Sequence, residues 1–426
     1  MASCMRFRVN LKTFIKSISI KPYRNYDFPK SYSLNKNHPT AQKVVSFYDE
    51  EINKYASKPI SPVKFQDLLR FGHPPLSPEK LVTSAQHVLK ELPPRLAKRV
   101  QAFQNLPYIV GINPHLAYVY GLYYESFEYL RSYPEIKTSE DNIKFVDDLL
   151  TVVKSFADVI PRLSQGFREC QRYMSEEAIQ NFLDGMIRAR IGIRLIAEQH
   201  IALHHNLGPE HVGILNTALQ PGQLFKSTGK LVEQICEINY GVSPKLELSG
   251  HVDAKFKYCP VHLEYIAIEL LKNAFRATAE FYQKENISKH GSPNYSSELD
   301  LPPVTVTIAK DQPQICLLIS DRGGGIPLSH MPHIFQYSFT TVSSFDSTDG
   351  SDSSAGAGNI FDIQSKMAMQ SGIGGPMAGL GYGLPMTRIY AQYFGGGLEV
   401  QSIEGYGTDV YLTLPNIHEN MQDVVI

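Results

Sequence analysis

The chain has 426 residues, of which 43% are hydrophobic and 19% charged, an ordinary globular composition with enough material for two domains. Its 41 basic and 42 acidic residues give a net charge of -1, so nothing global indicates binding to nucleic acid. The five cysteines are scattered, which argues against a disulfide framework or a zinc site, and no run of about 18 apolar residues predicts a membrane span.

The N-terminal segment is basic and amphipathic. Six lysines and arginines precede the first acidic residue, Asp27, and apolar residues alternate with them. This composition is typical of a mitochondrial transit peptide, which we assign to residues 1–30. A disordered basic tail is the alternative interpretation.

The first half of the chain has a helical pattern. Apolar residues recur at spacings of three and four, which predicts several long amphipathic helices packed as a bundle over residues 44–235. Proline pairs and Asn-Pro or Gly-Pro steps are expected to end individual helices. The predicted helices include residues 89–103, 115–130, 146–160 and 178–204.

The second half mixes strands with helices. Short apolar or alternating runs predict strands, and they are interspersed with helical patterns at residues 261–280 and 384–394. We therefore predict an α+β protein, in which a helical bundle is followed by an α/β sandwich over residues 240–415. Residues 338–378 include a stretch rich in Ser, Gly, Asp and Ala and are predicted to form a lid. The predicted strands are 304–308, 315–319, 398–400 and 410–414.

One predicted helix carries the most informative polar residues. Glu269 and Asn273 stand four apart and share a helix face. The carboxylate can accept a proton as a general base, and the amide oxygen can bind Mg²⁺, which prefers oxygen ligands. Lys272 and Arg276 can pair with phosphate. Alone, the pattern fits an ordinary amphipathic helix with solvated polar groups better than it fits a catalytic site.

Glycine-rich turns follow this helix. Asp321, Gly323 and Gly325 form an Asp-x-Gly-x-Gly turn, in which the carboxylate can accept from an adenine amino group. A Gly-x-Gly-x-Gly turn at 379–383 precedes the helix that begins near Leu384, so its backbone N–H groups can face phosphate. Thr408, in a third turn, is a possible nucleotide contact. Each turn alone is weak evidence, and ordinary tight turns are the alternative.

The order of these three motifs resembles the ATP site of the superfamily of gyrase, Hsp90, histidine kinases and MutL (GHKL), which has a Bergerat-type fold. Four further stretches, at residues 91–99, 106–114, 190–194 and 337–341, resemble the mitochondrial protein kinases of the 2-oxo acid dehydrogenase complexes. The resemblance covers roughly residues 45–415. It implies a helical regulatory domain, an ATP-binding domain and a homodimer in the mitochondrial matrix.

The resemblance also implies an activity. These kinases use ATP and Mg²⁺ to phosphorylate a serine of the E1α subunit, which inactivates the complex, and they dock on lipoyl domains of the E2 core. We predict pyruvate dehydrogenase as the substrate, with the branched-chain 2-oxo acid dehydrogenase as the alternative. A histidine kinase that uses His200, His204 or His205, and a non-enzymatic ATP-gated dimeric switch, are further alternatives.

Site roles carry over by position. The resemblance implies that Glu269 is the base, Asn273 the Mg²⁺ ligand and Asp321 the adenine contact, and that Arg190 and Arg194 line a pocket for a small 2-oxo acid effector. Two guanidinium groups one helical turn apart can clamp a carboxylate. The predicted nucleotide contacts are Glu269, Leu270, Leu271, Lys272, Asn273, Ala274, Phe275, Arg276, Asp321, Gly323, Gly325, Thr340, Thr341, Gly379, Leu380, Gly381, Tyr382, Gly383, Leu384 and Thr408.

The chain departs from the family in two places. Tyr265 stands where pyruvate-type members carry a histidine four residues before the base, so any tuning of Glu269 by that histidine is in doubt. The chain also has no tryptophan, so it lacks the C-terminal Asp-Trp pair of the animal pyruvate dehydrogenase kinases, and cross-tail locking of the dimer is in doubt.

Overall fold

The computed structural model of the chain describes residues 50–60, 63, 68, 72, 76–290, 300–311, 314–337 and 381–416. The transit-peptide prediction for residues 1–30 and the lid predicted at 338–378 lie outside these residues. The same holds for four predicted site residues, which are Thr340, Thr341, Gly379 and Leu380.

The N-terminal half is a helical bundle, as the periodicity predicts. Helix α2 packs against α1, α4, α5 and α7, and α6 packs against α4. The helices are α1 (Glu50–Ala56), α2 (Pro78–Gln104), α3 (Tyr108–Gly111), α4 (Pro114–Arg131), α5 (Ser139–Ser155), α6 (Val159–Cys170) and α7 (Glu176–His205), with a 3-10 turn at Gln171–Tyr173.

Polar caps set several helix starts. Asn113 caps α4, because its Oδ1 accepts from the backbone N–H groups of His115 and Leu116 at 3.0 and 3.3 Å. Thr138 begins α5 with a capping box, in which the Asp141 N–H donates to Thr138 Oγ1 and the Asp141 carboxylate accepts from the Thr138 N–H.

Three expectations for this half are wrong. The predicted helix at 146–160 is two helices, because α5 ends at Ser155 and α6 begins at Val159. The proline pair 93–94 does not end a helix, since it lies inside α2. Both prolines are buried in the bundle core, and that packing outweighs the loss of their backbone donors. In addition, the helical pattern does not extend unbroken to residue 235. Residues 211–219 form two short strands, β1 (His211–Val212) and β2 (Leu215–Leu219).

The C-terminal half is a mixed sheet covered by helices. Its elements are α8 (Pro221–Tyr240), β3 (Leu246–Gly250), β4 (Phe256–Tyr258), α9 (Pro260–His290), β5 (Val304–Asp311), β6 (Gln314–Ser320), a 3-10 turn (Met331–His333), α10 (Gly383–Tyr393), β7 (Gly397–Ile403) and β8 (Gly407–Pro415).

Five strands form the main sheet in the order β3-β5-β6-β8-β7. Strands β3 and β5 are parallel, and the remaining neighbours are antiparallel. Strand β4 instead joins β1 and β2 in a small separate sheet. The α+β class predicted from the sequence is confirmed.

The sheet has one packed face, where α8, α9 and α10 lie on it. Val304, Val306 and Ile308 point into this layer and are fully buried, whereas the intervening Thr305 and Thr307 are half-buried. This alternation is the period-two pattern expected of a half-buried strand. Among the described residues, no helix combines the length and the apolar character that crossing a membrane requires.

Helix α7 of the bundle contacts α10 of the sheet half. Gly192 permits this approach, because a Cβ atom there would lie 2.6 Å from the hydroxyl of Tyr393. Arg188 Nη2 also donates to Gln392 Oε1 at 3.1 Å. These contacts fix α10, whose N-terminus forms part of the site.

Candidate active site

Helix α9 holds Glu269 and Asn273 four residues apart. Glu269 is only 6% exposed, and Lys272 Nζ donates to its Oε1 at 3.0 Å. Asn273 is exposed, so its amide is accessible to a ligand. The helix thus presents a buried carboxylate paired with a cation, and an open amide one turn away.

The described part of the Gly-x-Gly-x-Gly turn meets this carboxylate. Gly383 is the first residue of α10, and a Cβ atom there would lie 2.6 Å from Glu269 Oε2. A side chain at this position would displace the end of the Glu269 side chain, so glycine favours the close approach. It brings the N-terminal end of α10, where free backbone N–H groups attract anions, beside the predicted base. A bound phosphate and the predicted proton acceptor can then lie next to each other.

Tyr265 lies one turn before Glu269 and is 4% exposed. Its ring packs on Tyr390 of α10, with ring centroids 4.8 Å apart. Burial, and then the charge of Glu269, raise the pKa of Tyr265 well above its ordinary value. The residue at this position is therefore a neutral phenol near neutral pH, and it packs on α10.

The Asp-x-Gly-x-Gly turn packs on the same helix further along. A Cβ atom at Gly323 would lie 2.5 Å from the backbone of Ala277, so the turn touches α9 eight residues after Glu269. At a rise of about 1.5 Å per residue, this contact lies about 12 Å along the helix from the carboxylate. The adenine of a nucleotide can therefore lie at the Asp321 turn while its phosphates lie beside Glu269.

Asp321 is held at the end of β6 by backbone donors. Its Oδ1 accepts from the N–H of Gly323 at 2.9 Å and from the N–H of Thr408 at 3.3 Å. The side chain is 6% exposed. Burial raises the pKa of Asp321 to about 6, although the two backbone hydrogen bonds act in the opposite direction. Because Oδ1 is occupied, Oδ2 is the oxygen left for a ligand donor.

The turn between β7 and β8 fixes this loop from the other side. Gly325, at φ 68°, lies against the carbonyl of Ile403, and Ile326 N–H donates to Ser402 Oγ at 2.7 Å. Ser402 Oγ also lies 3.0 Å from Thr408 Oγ1. The Thr408 hydroxyl thus contacts Ser402, while the Thr408 backbone N–H donates to Asp321.

The side chains of other residues predicted to contact nucleotide make their contacts within α9 or in the domain core. Arg276 Nε donates to Glu280 Oε1 at 2.9 Å, so this guanidinium is already paired. Four predicted contacts are buried core positions of α9, where their side chains pack within the domain: Leu270, Leu271, Ala274 and Phe275.

The structure brings Arg190 and Arg194 together at a cavity inside the bundle. Arg194 Nε donates to Glu198 Oε1 at 3.0 Å. Within the described residues, Arg190 Nη1 and the hydroxyl of Tyr123 are buried without a hydrogen-bond partner. Burial, and then the charge of Arg194, lower the pKa of Arg190 to about 10. The site therefore offers two unsatisfied donors to an anion.

The cavity is small and mostly apolar. Its volume of about 20 Å³ accommodates about one water molecule, so a larger ligand requires its walls to move. It is lined by Leu92, Leu96, Tyr123, Leu130, Leu149, Val152, Val153, Phe156, Arg190, Ile193, Arg194 and Ala197.

The histidines of α7 are poorly suited to accept a phosphoryl group. His200 is 1% exposed, and its Nδ1 lies 3.0 Å from Ser84 Oγ. Burial lowers its pKa to about 4. His204 is half-buried, and its Nδ1 lies 3.4 Å from Asn142 Nδ2. Only His205 is exposed among the three.

Two residues at the site carry no sequence signal for their role. Ser402 looks like an ordinary strand residue, but it receives the Ile326 N–H. Asp184 is a single polar position on α7, but it accepts from the hydroxyl of Tyr337, 153 residues away in sequence. Neither periodicity nor a local motif reports such tertiary contacts.

Comparison with known proteins matches both halves of the chain. Residues 62–216 match the family model described as mitochondrial branched-chain alpha-ketoacid dehydrogenase kinase. Residues 259–418 match the model described as histidine kinase-, DNA gyrase B-, and HSP90-like ATPase.

Full-length relatives agree with these matches. An Arabidopsis thaliana protein named pyruvate dehydrogenase (acetyl-transferring) kinase, mitochondrial, is 32% identical over 377 residues, covering 88% of this chain and 95% of the relative. A Drosophila melanogaster protein of the same name is 29% identical, covering 93% and 90%. The human kinase isozyme 1 is 28% identical, covering 90% and 84%.

Proposed function

The chain belongs to the family of mitochondrial 2-oxo acid dehydrogenase kinases, and from that premise we propose that it phosphorylates and inactivates pyruvate dehydrogenase, using ATP, at a serine of the E1α subunit. The observation that carries the proposal is the meeting of Glu269 with Gly383 at the N-terminus of α10. It supplies a proton acceptor at the point where the fold offers backbone donors to phosphate.

ATP lies along α9 in this proposal. Asp321 Oδ2 accepts a hydrogen bond from the adenine amino group, since Oδ1 is occupied by backbone donors. The backbone N–H groups of Gly381–Leu384 bind the phosphates at the other end. This arrangement positions the γ-phosphate near the carboxylate, and positioning provides most of the catalysis in phosphoryl transfer.

Glu269 receives the proton of the attacking serine hydroxyl. Its side chain forms an ion pair with Lys272, which holds it in place beside the N-terminus of α10. Tyr265, one turn earlier, is buried and packs on Tyr390 of α10. The proton moves from the serine oxygen to a Glu269 oxygen as the serine oxygen bonds to the γ-phosphorus. The bond between that phosphorus and the bridging oxygen of ATP breaks, and ADP leaves.

The residues present suit Mg²⁺. Asn273 is exposed, one helical turn from Glu269, and offers a neutral amide oxygen of the kind that a hard cation accepts. Mg²⁺ typically takes few protein ligands and completes its coordination with phosphate oxygens and water. When bound, the ion neutralises charge on the transferring phosphoryl group.

The bundle cavity is proposed as the site of a small 2-oxo acid effector. Arg190 Nη1 and the Tyr123 hydroxyl are the free donors that a carboxylate would satisfy. The apolar walls would surround the rest of the molecule. Homodimer formation, docking on the lipoyl domain of the E2 core and residence in the mitochondrial matrix are proposed from family membership.

A branched-chain 2-oxo acid dehydrogenase is the second candidate substrate. The observation that favours it is the match of residues 62–216 to the family model named for the branched-chain kinase. The relatives that align over most of the chain are named for pyruvate dehydrogenase, which favours the first candidate.

The test incubates the purified protein with γ-labelled ATP and, separately, kinase-free pyruvate and branched-chain dehydrogenase complexes. We expect acid-stable label on the E1α subunit of pyruvate dehydrogenase, with a matching loss of dehydrogenase activity. Label on the branched-chain subunit alone would select the second candidate. Acid-labile label on the protein itself would indicate a histidine kinase. ATP binding without a phosphoprotein product would indicate an ATP-gated switch.

A further inference from the structure

The segment before the predicted lid is held between the two halves of the protein. The Tyr337 hydroxyl donates to Asp184 Oδ1 on α7. Gln180 Nε2, one turn earlier on α7, donates to the carbonyl of Phe335 at 3.5 Å. From the other side, the Arg388 guanidinium of α10 lies 4.3 Å from the Phe335 ring centroid. The bundle and α10 therefore hold this segment together.

Tyr337 also contacts the glycine-rich turn. Its ring packs on the ring of Tyr382, with centroids 5.0 Å apart. Tyr382 is 1% exposed and immediately precedes Gly383, which lies against the carboxylate of Glu269. A single aromatic contact and one backbone step thus connect Asp184 in the bundle with the predicted base.

The hydrogen bond between Tyr337 and Asp184 is of a strong type, because a carboxylate is the acceptor. Burial, and then Asp184, raise the pKa of Tyr337 far above its ordinary value, so the phenol remains a donor at any physiological pH. The turn that it contacts has three glycines in its sequence, and glycine backbone is conformationally permissive. A contact from outside the turn can therefore restrict its conformation.

We propose that Tyr337 is a positioning residue, which the bundle uses through Asp184 to fix the glycine-rich turn, by way of Tyr382, relative to Glu269. The inference rests on the proposed function, because it assigns this turn to ATP phosphates. Tyr337 does not touch the reacting atoms in this assignment. Its role is to keep the backbone donors of the turn and the carboxylate at a fixed separation.

The test compares Tyr337→Phe with Tyr133→Phe in the full-length protein. Tyr133 is a matched control, because its hydroxyl donates to Asp148 at 2.8 Å within the bundle, away from the turn. Removing a hydrogen bond to a charged partner should weaken ATP binding by about tenfold in Tyr337→Phe, and should lower kcat as well. Tyr133→Phe should change neither by more than about twofold. Thermal unfolding should respond similarly in both variants.

Substitutions of the acceptor complete the test. Asp184→Asn keeps an oxygen acceptor and should retain most of the ATP affinity, whereas Asp184→Ala should match Tyr337→Phe. The double variant Tyr337→Phe with Asp184→Ala should be no worse than either single variant, because both remove one interaction.

The proposal is overturned by any of three outcomes. In the first, Tyr337→Phe keeps ATP affinity and kcat within twofold of wild type. In the second, the Tyr133→Phe control loses as much ATP affinity and kcat as Tyr337→Phe does. In the third, the losses of ATP affinity in the two single variants add in the double variant. ATP binding is measured by calorimetry, without a protein substrate. Therefore, if the wild-type protein labels no dehydrogenase but Tyr337→Phe still weakens ATP binding, the proposed function fails while the positioning role stands.

Discussion

Replacing Asp321 by asparagine should stabilise the protein and weaken nucleotide binding at the same time. The wild-type carboxylate is 6% exposed and accepts two backbone hydrogen bonds through Oδ1, from Gly323 and Thr408. An asparagine oxygen can accept the same two bonds without a buried charge. The remaining atom is then an amide nitrogen, a donor, which cannot accept from an adenine amino group.

The size of the stability change follows from the pKa. Burial raises the pKa of Asp321 from 3.8 to about 6, and at roughly 1.4 kcal/mol per pKa unit this costs about 3 kcal/mol near pH 7. The native state favours the protonated acid, so the stability contributed by Asp321 is complete below about pH 3.8. It is lost as the pH rises through about 6. The advantage of Asp321→Asn is therefore largest above pH 6 and shrinks toward pH 4.

The assay combines thermal unfolding of the nucleotide-free proteins with calorimetric titration of ADP between pH 5 and 7.5. Asp321→Asn should unfold several degrees higher than wild type at pH 7.5. Its ADP affinity should be at least about tenfold weaker. Wild-type affinity should also fall, relative to the variant, as the pH is lowered through about 6, because protonation turns Oδ2 into a donor.

Asp141→Asn is the control, for which we expect the opposite change in unfolding temperature. Backbone hydrogen bonds from Thr138 and Lys137 lower the pKa of Asp141, so its charge stabilises the native state above its unfolded pKa. Its replacement should lower the unfolding temperature and leave ADP binding unchanged. An Asp321→Asn variant with an unchanged or lower unfolding temperature at pH 7.5 would refute the buried-charge argument. Unchanged ADP affinity would refute the adenine assignment.

Three further substitutions test other parts of the site. Asn273→Ala should abolish the Mg²⁺-dependent part of nucleotide affinity without changing stability, since the side chain is exposed; equal affinities with and without the substitution would remove it as the metal ligand. Arg190→Met should raise the unfolding temperature, because it removes a buried cation with an unsatisfied donor, and should relieve inhibition of the kinase by 2-oxo acids; persistent inhibition would locate the effector elsewhere. Gly383→Ala should lower kcat at least about tenfold, because the new methyl group displaces the Glu269 carboxylate, whereas Gly121→Ala, which adds a methyl group in open space, should have no effect.

The elements that could be predicted are those with enough length to show a period. Helices α4, α7 and α9 carry several turns of apolar spacing, and α10 begins within one residue of its predicted start. Strands β1 and β2 have two and five residues, too few to show alternation, so they were hidden in a helical region. The end of α9 was also predicted too early, because residues 281–290 are mostly polar and their packing is tertiary: Gln283 Nε2 donates to the carbonyl of Tyr240 at 2.6 Å.

The candidate site, too, has features that could be predicted from the sequence and features that could not. Glu269 and Asn273 could be paired from the sequence because a single helix fixes their spacing. The contact between Glu269 and Gly383 could not, because it depends on how α10 packs on α9. The ion pair with Glu269 also changes the interpretation of Lys272. The sequence predicts this lysine as a phosphate contact, whereas in the structure it pairs with the carboxylate. The contact between Lys272 and phosphate stays a prediction.

The most direct test of the central claim compares phosphoryl transfer by wild type and by Glu269→Gln to the E1α subunit of pyruvate dehydrogenase. Both proteins should bind ATP with similar affinity, since glutamine preserves the shape of the side chain and an oxygen that can accept from Lys272, whereas the proton acceptor is lost. Wild type should place acid-stable phosphate on a serine, and the variant should do so at least about 100-fold more slowly. Transfer by Glu269→Gln at a rate near that of wild type would contradict the assignment of Glu269 as the base on which the proposed mechanism depends.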